Sequence, residues 1–96
     1  MNRVRVAAAQ FTVGSDVGAN LRTCVRMVAS AAGRGAQVVV LPAYCNHPAD
    51  FVDREHAERV ACRAGGEFLE TIAAAAAEHE IYLKLHVTLA DGDRIT

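Results

Sequence analysis

Gln37-Val38-Val39-Val40-Leu41-Pro42 decides how this chain is read. Three adjacent β-branched valines fit a pleated surface better than a helix. Gln37 to Leu41 reads as a continuous apolar strand, the kind found in parallel sheets covered on both faces. Pro42 cannot donate to a ladder and closes it. Residues 43 to 53 then form a loop carrying Cys45, Asn46 and His47. A buried strand that opens into polar residues is a common way to build an active site. The first side chain after Pro42 is nevertheless Ala43, a methyl group with no chemistry.

Upstream, Val4 to Phe11 reads as a strand, with Val4, Val6 and Ala8 on one face and Arg3, Arg5 and Ala7 on the other. Asp16 is positioned as an N-cap, its carboxylate accepting from free N–H groups of the next turn. Val17, Leu21, Cys24, Val25, Val28 and Ala32 follow at helical spacing, and Gly33 and Gly35 end that helix. Downstream, Arg54 to Arg63 is a short, weakly patterned helix, broken by Gly65-Gly66. Glu67 to Glu80 is a strong helix by propensity, with Phe68, Leu69, Ile72, Ala76 and His79 along one side. Ile81 to Leu89 is a third strand, and Asp91-Gly92 signals a hairpin into a return strand, "DRIT".

The predicted order is βαβαβ followed by a truncated hairpin. Successive βα units imply an α/β fold with a parallel sheet and right-handed crossovers. The 96 residues form one unit, 1–96, without internal repeat or linker. A chain this short buries only about 60–65% of the surface it exposes when unfolded. Ending a few residues into a return strand leaves an open sheet edge, so the expectation is a piece of a larger domain.

A net charge of −1 gives no electrostatic case for a nucleic-acid or anionic-membrane partner. The longest apolar run, Ile72 to Ala77, is far short of the ~20 residues of a spanning helix. Arg3 and Arg5 alternate with valines and no long apolar core follows, unlike a signal peptide. Cys24, Cys45 and Cys62, an odd count without a C-x-x-C pair, suggest reduced thiols. A cytoplasmic location is expected on these grounds.

The turn after the first strand, "FTVGSD", has one glycine, and neither G-x-G-x-x-G nor a P-loop lysine. No nucleotide cofactor is expected. Cys45, His47, Asp50 and His56 carry the right atoms for zinc, but their spacing matches no recurrent pattern and supplies one thiolate. The expectation is a polar loop, not a metal site. Cys45 and His47 could also be a nucleophile and its base, yet at i and i+2 in a loop their geometry is unconstrained. Cys24 and Cys62 read as small buried hydrophobes. Glu67 and His79 suit the two ends of their helix dipole. Lys84 and His86 share one face of the third strand, where the lysine stem can cover the sheet.

The ordered set of features resembles the N-terminal segment of the carbon–nitrogen hydrolases, the nitrilase and amidase superfamily. "VRVAAAQF" ends its strand near Gln10, and Asn20-Leu21 stands near the start of the following helix. "GAQVVVLP" closes the second strand, and "AAAAAEHEIYLKLHVTL" looks like the family's helix-to-strand step. The resemblance covers nearly the whole chain. It implies an αββα sandwich about two and a half times this length, of which 1–96 is roughly the N-terminal third.

The resemblance also implies a mechanism. A cysteine thiolate attacks an amide or nitrile carbon, a glutamate takes the thiol proton, a lysine stabilises the developing charge, and the thioester is hydrolysed. That glutamate follows the Leu-Pro, which places Ala43 at the general-base position with the function lost. The family's lysine and cysteine lie further along, and neither Lys84 nor Cys45 matches their motifs. The implied reading is a hydrolase fragment, inactive alone, that hardly binds its small amide or nitrile substrate. The alternative is a non-catalytic module that associates through an exposed sheet face, as a homo-oligomer or with a full-length relative.

Overall fold

The computed structural model describes residues 3–92 and 94–96. Three short parallel strands, β1 (Val6–Ala8), β2 (Val38–Val40) and β3 (Tyr82–Lys84), lie in the order β1-β2-β3. Helix α1 (Val17–Gly33) joins the first pair; α2 (Arg54–Val60) and α3 (Glu67–Glu78) join the second. A hairpin of β4 (Ala90–Asp91) and β5 (Arg94–Ile95) follows. The mixed α/β architecture and the parallel sheet agree with the sequence reading. Asp93, in the predicted "DRIT" strand, lies outside the described residues. Among those described, no helix is long and apolar enough to cross a membrane.

Register explains where the core sits. Val6, Val38 and Tyr82 are aligned across the sheet, as are Ala7, Val39 and Leu83, and Ala8, Val40 and Lys84. Alternate residues point to opposite faces. The Ala7–Val39–Leu83 row packs with Cys24 and Val28 of α1 and Phe68, Ile72 and Ala75 of α3. Both helices therefore cover one face and pack on each other. The other two rows lie on the open face, where Val6 is 62% exposed and Tyr82 80% exposed. The apolar set Val4, Val6 and Ala8 thus turns away from the helices, and the small Ala7 and Ala9 turn inward. β2 was expected to be covered on both faces; here it is covered on one.

The caps follow from local chemistry. Asp16 accepts the Ala19 N–H at 3.1 Å, an interaction typically worth about 1 kcal/mol. Helix α1 ends in a Schellman turn. Ala36 N–H reaches the Ala31 carbonyl at 3.1 Å and Gly35 N–H the Ala32 carbonyl at 2.9 Å, with Gly35 at φ +87°. α3 ends the same way, with Ile81 N–H on Ala76 and Glu80 N–H on Ala77. There the left-handed residue is Glu80, at φ 53°. A side chain at that conformation is strained, and no glycine marks the stop. The helix predicted through Glu80 therefore ends at Glu78.

The third strand is shorter than Ile81–Leu89 because its backbone changes partners. Leu41 N–H still bonds the Lys84 carbonyl, but the Thr88 carbonyl accepts from Cys62 N–H at 2.8 Å. Cys62 and Leu89 form an isolated parallel bridge. Alternation persists, with Ile81, Leu83, Leu85, Val87 and Leu89 all against the core, while the ladder with β2 does not.

Candidate functional site

Ala43 lies just past the C-terminal end of β2 and is exposed. Ligands of open α/β sheets bind outside the carboxyl ends of strands, so the position suits a site. Tyr44 follows at φ 52°, an unfavourable conformation for an aromatic residue. His86 holds it there. Its Nδ1 accepts the Tyr44 N–H at 3.1 Å, and its carbonyl accepts the Cys45 N–H at 3.0 Å. The two rings meet edge-on, with centroids 4.5 Å apart. A neutral histidine that accepts at Nδ1 carries its proton on Nε2. His86 is thus a clamp on the turn that presents position 43, a role the sequence reading did not assign it. Lys84 sits on the open face, aligned with Val40.

Cys45, Asn46 and His47 are buried in succession. Asn46 is the hub. Its Nδ2 donates to the Val60 carbonyl at 3.0 Å, and its Oδ1 accepts the Thr88 N–H at 3.2 Å. Its own carbonyl accepts from Asn20 Nδ2 at 2.8 Å. Asn20 also closes the turn before α1, accepting the Gly14 N–H at 3.0 Å and donating to the Gly14 carbonyl at 2.8 Å. Two buried amides thereby tie together four segments of chain. Asn20 entered the sequence reading only within the family pattern. The available signal was a polar residue inside the apolar stripe between Val17 and Cys24.

The four candidate metal ligands are not brought together. Cys45 faces the core, while Asp50 is exposed. His47 Nδ1 lies 2.7 Å from the Pro48 carbonyl, so it carries a hydrogen. His56 Nδ1 accepts the Val52 N–H at 3.1 Å and is thereby occupied. The two histidine rings meet edge-on, with centroids 5.1 Å apart, and both pack on Phe51. Among the described residues, no group of three or more ligand-type side chains is arranged to hold a metal ion.

Nor do Cys45 and His47 form a nucleophile–base pair. His47 Nδ1 is turned to the Pro48 carbonyl, and the side chain that acts on the Cys45 sulfur is the Cys24 thiol. That S–H, together with the backbone N–H groups of Cys45 and His86, holds the Cys45 thiol below its ordinary range, against the effect of burial. Cys24, the donor, is pushed strongly upward by the same bond and by burial. Cys62 is pushed up to about 12, chiefly by burial and then by the neighbouring Cys45 charge.

The structure is that of an α/β protein with an exposed loop at the C-terminal end of its central parallel strand. The carbon-nitrogen hydrolase family model matches residues 5–95, and the chain belongs to that family. No curated protein matches the chain.

Proposed function

We propose that this chain forms the N-terminal part of a carbon–nitrogen hydrolase αββα sandwich, and that Ala43 occupies its general-base position. The observation that carries this is the exposed place of Ala43 directly after Leu41-Pro42, in a chain that the family model matches over residues 5–95. Ala43 stands at the mouth of β2, on a turn held by His86. A methyl group cannot take a proton from a thiol, and losing a general base costs about 10²–10⁴ in rate. Lys84 lies on the open sheet face and Cys45 is buried, so neither stands in for the family's lysine or nucleophile. Three free cysteines fit a reducing compartment, the cytoplasm.

The test is ammonia release from a panel of aliphatic and aromatic amides and nitriles. The 96-residue chain should give none above buffer, and turnover would overturn its assignment as inactive. In the longest product of its coding sequence that carries a family lysine and cysteine, Ala43→Glu should raise hydrolysis by about 10²–10⁴. Equal rates with and without the glutamate would remove position 43 from the base role.

A second reading, a non-catalytic module, is favoured by the open sheet face. Val6 and Tyr82 flank Val38 in one row there and are strongly exposed. Contiguous exposed apolar surface marks interaction sites. Sedimentation velocity should show self-association, or uptake by a full-length relative, that the double substitution Val6→Lys, Tyr82→Lys abolishes. A monomer at all concentrations, with no uptake, would end this reading.

A further inference from the structure

The first turns of α1 and α3, the end of α2 and the segment after it surround a cavity of about 370 Å3. That size suits a small organic molecule. The floor is apolar. Val17, Leu21 and Phe68 line it, and all three pack with the core cluster. The rim is cationic. Arg59 and Arg63 both line the cavity. Arg22 reaches the same wall, its Nη1 3.5 Å from where a Cβ on the lining residue Gly18 would stand. All three arginines are exposed, and no guanidinium among them has a hydrogen-bond or ion-pair partner among the described residues.

Two carboxylates are nearby. Asp16 Oδ1 lies 3.4 Å from the same Gly18 point and is engaged by the Ala19 N–H. Glu67, the first residue of α3, lines the cavity. Three positive side chains therefore outnumber two negative ones here, in a chain whose net charge is −1. Folding alone does not account for the arrangement. Like charges around one hollow repel each other, and the apolar floor beneath them is left unfilled.

We propose that this cavity binds a small carboxylate with an apolar tail, the tail against Val17, Leu21 and Phe68 and the carboxylate at the arginine rim. A guanidinium fork matches a carboxylate in plane and in charge. The tail takes apolar surface out of water. Neither half suffices: a bare anion leaves the floor wet, and a neutral tail leaves the arginines to water. Position 43 lies outside the cavity wall, so the site does not draw on the base position. A bound ligand touches α1, α2 and α3 at once and should raise Tm as it saturates the site.

The experiment titrates hexanoate into the full chain, labelled with 15N, and follows the amide signals. Hexanol and acetate serve as the two halves of the ligand. Hexanoate should bind saturably, with a Kd of about 1 mM, and move the amides of Gly18, Leu21, Cys62, Gly66 and Phe68. Hexanol and acetate should each bind about tenfold more weakly. Raised salt should weaken hexanoate, because the rim is exposed. The double substitution Arg59→Gln, Arg63→Gln should cost about tenfold in affinity, the size of two exposed ion pairs. Ala61→Leu keeps both arginines and fills the cavity from its wall, so it should abolish binding. Hexanol as tight as hexanoate, shifts gathered on Val6 and Tyr82, no saturable shift, or full affinity in both variants would overturn the proposal. Should the arginine variant fail to fold, the comparison of the three ligands on the wild type still decides it.

Discussion

Asn46→Ala is expected to lower the unfolding free energy by about 2–4 kcal/mol. The side chain is fully buried and spends both ends of its amide on backbone. Removing it strands the Thr88 N–H, which is buried, and the Val60 carbonyl, which is half-buried. A stranded buried group costs about 1–3 kcal/mol, and the half-buried carbonyl, which water can reach, sits at the low end. A domain of this size has only about 5–15 kcal/mol in total, so the loss is a large share of it. Urea unfolding followed by circular dichroism reads it directly. A loss under about 1 kcal/mol, the size of one ordinary net hydrogen bond, would mean Asn46 does not hold these segments together.

Asn46→Asp separates the two ends of the amide. The acceptor for Thr88 survives, but a carboxylate now faces the Val60 carbonyl where a donor stood. At neutral pH this variant should be at least as unstable as Asn46→Ala, because it adds a buried, poorly paired charge. Protonation restores a donor, so part of the loss should return as the pH falls. Equal instability at both ends of the titration would show that the Val60 contact contributes little.

These amides also mark the limit of what the sequence reveals. β2 was legible because three consecutive valines suit only a strand, and α1 because Asp16 and the apolar stripe agree. The exposed place of position 43 followed from Pro42 ending a buried strand. What stayed hidden depends on contacts between distant residues. β3 ends at Lys84 not through any breaker but because residues 88–90 find Cys62 instead of β2. α3 stops two residues early because Glu80 takes a left-handed turn that composition does not announce. Asn46 reads as an ordinary loop residue until Val60 and Thr88 come within reach of its amide. The resemblance supplied the family, and only the fold supplied the clamp at His86.

Asn20→Ala is the second large effect, again about 2–4 kcal/mol by the same reasoning. Its amide closes the Gly14 turn through both backbone groups and reaches across to the Asn46 carbonyl. That last bond makes the two asparagines dependent on each other. Asn20 grips the backbone of Asn46, and the side chain of Asn46 keeps that backbone in place. Once Asn46→Ala frees the turn, Asn20 has already lost part of its hold there, so the second substitution costs less than it would alone. The double variant should be more stable than the sum of the single losses predicts, by about 0.5–2 kcal/mol, as for residues sharing one network. Because two such losses approach the whole stability of the domain, the cycle belongs in a constant concentration of a protecting osmolyte, which strengthens burial in all four proteins. Strict additivity would show that the Gly14 turn and the 43–47 turn are independent. The polar core would then be two separate anchors and not one hub beneath position 43.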